Sequence, residues 1–392
     1  MTDMMDWPAY QHALAAIRAR LLALPAGQGR DGMAAMDRLL MEASASAYNL
    51  VMAPDPTRPE LLCDRVFSPG GYDWMMPNPD FLYRYAFLDG RYRYRLRGKR
   101  GTSTFLDAQT IAGFFGDPDL KLFDSHMVGD MCDASGVIDL ILSAERPGPD
   151  VPWIPLHPER VTTLILRECF GDWTAEQGAR LSLSLGDLAP ARRDDARSIG
   201  DRLSASARMI DFCLSTFGPD FCQSIVARCG ENAFVHVETS RDEDASNPGV
   251  AYVPAAFRLE AGEALLLSFP VPKARYWSVH LTDRLSRTFD YASRQTSLNN
   301  RQAHVAADGV VHVVLSARDP GISNWLDCGN TQEGMILLRW YGASGIVVPT
   351  IRRMSFGEVS TLLPADTPSI TPEERGALAA ARTAAVAARY QH

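Results

Sequence analysis

A pattern of aromatic, aliphatic and arginine residues occurs twice in this chain, once in each half. In the first copy, Trp153 precedes an apolar run that ends at Arg167. In the second copy, Trp325 precedes an apolar run that ends at Arg339. The interval from tryptophan to arginine is 14 residues in both copies (167 − 153 and 339 − 325). Agreement in order, residue type and spacing predicts two copies of one β unit, which restricts the chain to a duplicated fold.

The regions upstream of the two arginines are also comparable. Asp107 closes a predicted strand 60 residues before Arg167 (167 − 107), and Asp283 closes another 56 residues before Arg339 (339 − 283). We expect each arginine to lie at a strand end and to pair there with a carboxylate, because guanidinium and carboxylate groups form strong charged hydrogen bonds. In this interpretation the repeated residues are part of the scaffold.

Alternation of apolar and polar residues indicates antiparallel strands in both halves. Residues 91–97 alternate without a fault, with arginines on one face and Tyr92, Tyr94 and Leu96 on the other, as in a half-buried strand. The predicted fold class is mainly β with added helices (α+β), built from two related antiparallel units of jelly-roll or sandwich type. The predicted domains are a helical N-terminal hairpin (1–58), a first β unit (59–190), a helical connector (191–231), a second β unit (232–350) and a C-terminal tail with a helix (351–392).

Charge and composition exclude several classes of protein. The net charge is −8, which argues against a nucleic-acid surface. No apolar run reaches the roughly 18 residues that a membrane helix requires, and the first residues do not have the pattern of a secretory signal. The seven cysteines are odd in number and widely spaced, as in a cytoplasmic protein with reduced thiols. We therefore expect a cytoplasmic protein that binds neither nucleic acid nor membranes.

Arginine is strongly preferred over lysine. Only three of the 39 basic residues are lysine. A GC-rich genome explains such a bias without any functional role. The alternative is that some arginines recognise anions or carboxylates, for which a planar guanidinium group is better suited than an ammonium group.

The segment from residue 68 to residue 84 is the richest in chemically useful side chains. It contains Tyr72, Trp74, Asn78, Asp80 and Tyr83 between several prolines, and prolines restrict the backbone that holds them. An aspartate beside a phenol in an aromatic environment can act as a general acid–base pair, because an apolar setting raises the pKa of a carboxyl group. The structural alternative is a turn in which Asp80 caps backbone amides.

A second candidate segment lies on a predicted strand in the second half. Alternation places Tyr276, Ser278 and His280 on one face of this strand, so these polar side chains face either solvent or a cavity. His280 could exchange a proton near neutral pH, although a lone strand histidine can also be purely structural. The loops around Arg301 and Asn324 add an anion-binding group and an amide.

Familiar catalytic and cofactor motifs are missing from the sequence. It contains no GxSxG, HExxH or P-loop motif and no GxGxxG that opens a helix, so no cofactor is predicted. The nearest approach to a metal pair is His236 with Glu238, which share one strand face. A hydrogen-bonded strand pair explains these two residues equally well.

The second half of the chain resembles a known family. Residues 276–283, 308–309, 324–326 and 337–341 together are similar to the bacterial domain-of-unknown-function family 1214. Residues 78–83 resemble a short stretch of the partner family 1254, with Phe81 in place of the usual threonine. The resemblance implies a two-part, jelly-roll-like β protein that is bacterial, soluble and oligomeric. It also implies hydrolysis of small esters or alkyl compounds.

These observations favour a metal-independent acid–base enzyme, either a hydrolase or a lyase, that acts on a small, partly hydrophobic oxygenated substrate. Asp80 is the predicted base, Tyr83 or His280 the acid, and Arg301 the anion-binding residue. Tyr72, Trp74, Asn78, Tyr276 and Asn324 complete the predicted substrate site. The alternative is a non-catalytic β-sandwich protein that binds carbohydrate or lipid, and a third interpretation is a metal enzyme that uses His236 and Glu238. The expected partners are a small-molecule substrate and further copies of the chain in a homo-oligomer.

Overall fold

A computed structural model of the chain describes residues 5–63, 74–186, 194–235, 249–271 and 273–390. Its helices are Trp7–Ala23 (α1), Gly29–Ala47 (α2), Ala196–Thr216 (α3), Pro219–Cys229 (α4), Val359–Leu362 (α5) and Pro372–Arg389 (α6). The strands of the first unit are Leu62–Cys63 (β1), Phe81–Asp89 (β2), Tyr94–Lys99 (β3), Phe105–Ala112 (β4), Lys121–Met127 (β5), Val137–Ser143 (β6), Trp153–Pro155 (β7), Val161–Cys169 (β8) and Arg180–Leu185 (β9). Those of the second unit are Ala233–Phe234 (β10), Val250–Arg258 (β11), Glu263–Pro270 (β12), Tyr276–Thr282 (β13), Ser297–Asn299 (β14), Val310–Ser316 (β15), Trp325–Asp327 (β16), Glu333–Tyr341 (β17) and Thr350–Ser355 (β18). No helix in these ranges has the length and apolar character needed to span a membrane.

The strand order of the sheets repeats between the two units. The first unit has a five-stranded sheet, β1-β2-β8-β4-β5, and a four-stranded sheet, β7-β6-β3-β9. The second unit has the sheets β10-β11-β17-β13-β14 and β16-β15-β12-β18. Adding nine to each strand number of the first unit reproduces the second. The predicted fold class, two related and mostly antiparallel β units with added helices, is confirmed.

Each unit is a sandwich whose core lies between its two sheets. In the first unit, Leu106 and Leu166 of the five-stranded sheet pack with Leu96 and Leu140 of the four-stranded sheet, and all four are fully buried. In the second unit, three indole or phenyl rings from Phe269, Trp277 and Trp340 meet edge to face. Burial of these side chains is the main source of stability in such a sandwich.

Helices cover the ends of the five-stranded sheets. Residues of α2 and α3 pack against Phe87, Ile111 and Ile165 in the first unit, and α4 packs against Ala256 and Met335 in the second. The strand β18 pairs with β12, so the second sandwich continues past residue 350, the predicted end of that unit. The helices therefore lie outside the two sandwich cores.

Candidate functional site

The two five-stranded sheets face each other between the units. Antiparallel neighbours that lie directly opposite each other share one face of a sheet, so the strand register shows which side chains point toward the other unit. Three contacts cross between the sheets: Phe105 lies beside Tyr341, the hydroxyl of Tyr341 donates to Asp107, and Arg339 donates to the hydroxyl of Tyr83. We call the side chains on these two facing surfaces the inter-unit interface.

One end of the inter-unit interface is aromatic. Phe81 and Phe105 from the first unit meet Tyr276 and Tyr341 from the second, with ring centroids between 4.7 and 6.2 Å apart. Most of these pairs meet edge to face, and Phe105 stacks on Tyr341, which are the arrangements that aromatic quadrupoles favour. We call these four residues the aromatic layer.

The next row along the strands is polar. In the first unit, Arg167 lies opposite both Tyr83 and Asp107. In the second unit, Arg339 lies opposite both Tyr252 and Ser278. We call these six residues the polar layer. The duplication thus places a tyrosine–arginine pair in each unit but an aspartate only in the first.

This register changes one expectation from the sequence. Asp283 was expected to match Asp107, but it follows β13 and accepts hydrogen bonds from the backbone amides of Leu285 and Arg287. The residue that matches Asp107 is Ser278. The matching of chain intervals placed Asp283 wrongly, because the connections within the two units differ in length.

The two arginines of the polar layer have different surroundings. Arg167 lies with its Nη1 atom 3.9 Å from Oδ1 of Asp107. Arg339 donates from Nη1 to the Tyr83 hydroxyl at 3.3 Å, and its Cζ atom lies 4.9 Å from the centroid of the Tyr252 ring. Its Nε atom has no hydrogen-bond partner among the described residues. Arg339 is therefore held by tyrosines instead of by a carboxylate.

His280 lies in the row beyond the polar layer. It is two residues from Ser278 on β13 and therefore projects from the same face as Arg339. The side chain is completely buried, and neither ring nitrogen has a hydrogen-bond partner in the described part of the chain. Burial, reinforced by the charge of Arg339, lowers the pKa of His280 well below its usual value. The imidazole is therefore neutral at pH 7 and can accept a proton.

Tyr83 supplies the complementary acid. Burial raises the pKa of its phenol, and the charge of Arg339 opposes this shift only in part. The phenol thus stays protonated at neutral pH and can donate a hydrogen bond or a proton. Tyr83 and His280 are linked through Arg339, whose charge acts on both of them.

Asp80 lies beyond the aromatic layer and is completely buried. Its carboxylate accepts hydrogen bonds from the Tyr276 hydroxyl at 2.5 Å, from Trp173 Nε1 at 2.6 Å and from Asn299 Nδ2 at 2.8 Å. Burial raises the pKa of Asp80, and these hydrogen bonds act against that shift. Asp80 and Trp173 belong to the first unit and the other two donors to the second, so this carboxylate connects the units.

Asn78 and the C-terminal helix complete the surroundings of Asp80. Asn78 donates from Nδ2 to Tyr276 Oη at 2.9 Å and accepts a hydrogen bond from the Asp80 backbone amide. From α6, Arg389 lies with its Cζ atom 4.2 Å from the Trp173 ring and donates to a backbone carbonyl two residues before the strand that follows Asp80. The carboxylate is thus enclosed by three parts of the chain.

The predicted site residues divide into two groups in the structure. Asp80, Asn78 and Tyr276 contact one another directly. Tyr83 points to Arg339, and His280 lies on the opposing sheet beyond the polar layer. The predicted contact between Asp80 and Tyr83 is replaced by the one between Asp80 and Tyr276, because Asp80 precedes β2 whereas Tyr83 projects from it into the inter-unit interface.

The other predicted residues lie elsewhere. Trp74 donates to Ser46 in the helical layer. Asn324 bonds to the backbone of His304 and His312 within the second unit, and Arg301 is an exposed residue after β14. The structure thus places these three away from the polar layer. Tyr72, His236 and Glu238 lie outside the described residues. In the ranges that the structure describes, no three His, Cys, Asp or Glu side chains are grouped so that they could hold a metal ion.

Sequence reasoning did not assign a functional role to three members of the polar layer. Arg167 and Arg339 were recognised as a repeated pair and interpreted as scaffold, and Tyr252 was not singled out. The repeat itself was the available signal, because it places the arginines at matching strand positions. Trp173 and Asn299, which bind Asp80, carry no comparable signal in the sequence.

Comparisons with known proteins support the fold and the family resemblance of the second unit. Residues 255–345 match the model of a family described as a protein of unknown function (DUF1214). An uncharacterized protein from Burkholderia cenocepacia has a similar crystal structure, with 25% sequence identity, a TM-score of 0.78, and coverage of 90% of this chain and 97% of that chain. The VPA0106 protein from Vibrio parahaemolyticus is 12% identical, with a TM-score of 0.46 and coverage of 81% of this chain and 98% of that chain. No curated protein matches this chain. The second β unit is thus similar to DUF1214, as its strand and loop motifs indicated.

Proposed function

We propose that this chain is a metal-independent acid–base enzyme, a hydrolase or lyase, whose active site is the polar layer and the adjoining His280. The proposed substrate is small, partly hydrophobic and oxygenated. The observation that carries the proposal is the position of Arg339, which contacts the Tyr83 phenol across the interface and projects from the same sheet face as His280. A cation, a phenol and a neutral imidazole between two sheets are the groups that proton-transfer chemistry requires.

Each group has a role that follows from its surroundings. His280 removes a proton from water or from the substrate, because its ring is neutral and its nitrogens have no protein partner in the described residues. Tyr83 donates a proton to the departing oxygen, and Arg339 stabilises the negative charge that develops on the substrate. Asp80 was predicted to be the base, but its carboxylate is fully buried and accepts three hydrogen bonds. We therefore assign it a positioning role, through Tyr276.

Screening a library of small esters, hydroxy acids and ethers by mass spectrometry tests this proposal. With a substrate identified, we expect His280→Gln and Tyr83→Phe each to lower kcat by roughly 10²- to 10⁴-fold, as removal of a general acid or base does. His12→Gln is the matched control, because His12 is exposed on α1. Full turnover in both site variants would contradict the proposal, and binding without turnover would favour the alternative of a carbohydrate- or lipid-binding protein.

We further propose that the first unit is the 1254-like partner domain and that the chain forms a homo-oligomer in the cytoplasm. All seven cysteines are free thiols, which is typical of proteins in reducing compartments. The resemblance to the two families supports the oligomer. Light scattering after size-exclusion chromatography tests it, and a monomeric mass would contradict it.

A further inference from the structure

We infer that the ligand of the polar layer is a small monocarboxylate, and that its carboxylate binds Arg339 in the way that Asp107 of the first unit faces Arg167. The inference rests on the proposed function for the location of the site. It goes beyond that function because it names the charged group by which the substrate is recognised.

The duplication is the first argument. Arg167 and Arg339 occupy equivalent positions on β8 and β17, each opposite a tyrosine on the neighbouring strand. The strand on the other side contributes Asp107 in the first unit and Ser278 in the second. One copy of the repeat therefore contains its own carboxylate, whereas the other copy has a hydroxyl at the equivalent position.

The charge balance is the second argument. The polar layer contains two guanidinium groups and one carboxylate, and that carboxylate lies within ion-pair distance of Arg167. No carboxylate of the described residues forms an ion pair with Arg339, whose neighbours Tyr83 and Tyr252 are phenols. A poorly hydrated cation without a counter-charge is costly in a protein interior. An anionic ligand would remove this cost, which a neutral ligand could not do.

The orientation of Arg339 is the third argument. Its guanidinium group lies over the Tyr252 ring and donates from Nη1 to Tyr83. These two contacts fix the plane of the group and leave the edge that contains Nε without a hydrogen bond to the described residues. A guanidinium edge of this kind matches the two oxygens of a carboxylate.

The neighbouring side chains indicate the remainder of the ligand. Tyr83, Tyr252, Arg167 and Arg339 are all partly exposed, although most of their strand neighbours are buried, so small molecules can reach the layer. The aromatic layer lies one row away along the strands. We therefore expect an apolar or aromatic group attached to the carboxylate, since pockets combine apolar walls with a few oriented polar groups.

Calorimetry with simple carboxylates tests the inference directly. The probes are benzoate, phenylacetate and hexanoate, each compared with its primary amide, which has the same shape but no charge. We expect at least one carboxylate to bind with one molecule per chain and to bind roughly tenfold or more tightly than its amide. Arg339→Gln should abolish this difference, whereas Arg97→Gln, an exposed arginine on the outer sheet, should preserve it. Circular dichroism verifies that both variants fold.

A second pair of variants uses the duplication. Ser278→Asp introduces into the second unit the carboxylate that the first unit already has, and Ser278→Asn adds a side chain of the same size without the charge. We expect Ser278→Asp to weaken carboxylate binding by roughly tenfold or more relative to Ser278→Asn, because an internal carboxylate then competes for Arg339. Equal binding by the two variants would overturn the inference.

The outcomes separate this inference from the proposed function. Failure of every carboxylate to bind, or amides that bind as tightly as their acids, would overturn the inference. Turnover of neutral substrates that persists in Arg339→Gln would do the same while leaving the acid–base enzyme intact. Carboxylate binding that depends on Arg339, without turnover of any compound, would support the inference and contradict the proposed function.

Discussion

At the residue scale, His280 shows how burial changes the chemistry of a side chain. A histidine on a solvent-exposed strand would be partly protonated near pH 6.5, whereas this one is sealed beneath a sheet and feels the positive charge of Arg339. Both effects disfavour the imidazolium ion. The sequence correctly placed His280 on the face that carries Tyr276 and Ser278, but it could not indicate whether that face was wet or dry.

His280 should make the stability of the protein depend on pH. Its pKa is lowered in the folded state, so its contribution to stability is present above its ordinary pKa of 6.5 and is lost as the pH falls below it. We expect the free energy of unfolding to decrease between pH 7 and pH 5 (values chosen to bracket about 6.5), and the decrease to be smaller in His280→Gln. Urea denaturation at several pH values measures both.

His12→Gln serves as the control, because the exposed His12 side chain on α1 should leave the wild-type pH dependence unchanged. The same pH dependence in wild type and in His280→Gln would show that burial of this imidazole does not contribute to it.

At the scale of single elements, the C-terminal helix α6 illustrates what local sequence can and cannot predict. The pattern Thr371-Pro372-Glu373-Glu374 predicts a capped start, and the structure has a capping box in which Thr371 and Glu374 each accept a hydrogen bond from the other's backbone amide. Nothing local indicates that Arg382 and Arg389 would both lie over Trp173 of the first unit. Local hydrogen bonds start the helix, and tertiary contacts position it.

Removal of the cap should destabilise this element by a known amount. Thr371→Ala should lower the free energy of unfolding by about 1 kcal/mol, because one amide at the first turn loses its acceptor. Thr383→Ala is the matched control, since Thr383 is exposed within the same helix, where alanine is the better helix former. Chemical denaturation measures both changes. A loss in the control as large as that in Thr371→Ala would mean that the cap does not stabilise α6.

The strands show a similar division. Alternation correctly predicted that Tyr94 and Leu96 face the core and that the arginines beside them face outward, where Arg95 and Arg97 approach Asp139. The predicted strand began at residue 91, whereas β3 begins at Tyr94, because Arg91 and Asp89 form part of the preceding turn. Alternation identifies a strand's faces but does not identify the residue at which sheet pairing begins.

At the scale of the whole molecule, the two units are joined by buried polar contacts as well as by aromatic rings. Asp80 binds Tyr276 across 196 residues of sequence, and Tyr341 binds Asp107 across 234. Both bonds are buried, so a broken one would leave an unsatisfied polar group in a water-poor interface. These contacts favour unfolding of the two units as one.

A double-mutant cycle measures this connection. Asp80→Asn and Tyr276→Phe should each destabilise the protein, and the double variant should lose less stability than the two single losses combined, with a coupling energy of about 1–3 kcal/mol. Tyr94→Phe, which alters a hydroxyl bonded to residues 56 and 89, should be additive with Asp80→Asn. Zero coupling between Asp80 and Tyr276 would mean that the contact does not hold the units together.

The duplication, the β architecture and the buried faces of many strands could be inferred from the chain, because they depend on patterns that repeat over short distances along it. The composition of the polar layer could not. It depends on which strands become neighbours and on how the two five-stranded sheets face each other, and these are set by packing between residues far apart in sequence. For this reason Arg339 was expected to pair with a carboxylate, whereas the folded chain places it opposite Ser278 and in contact with two tyrosines.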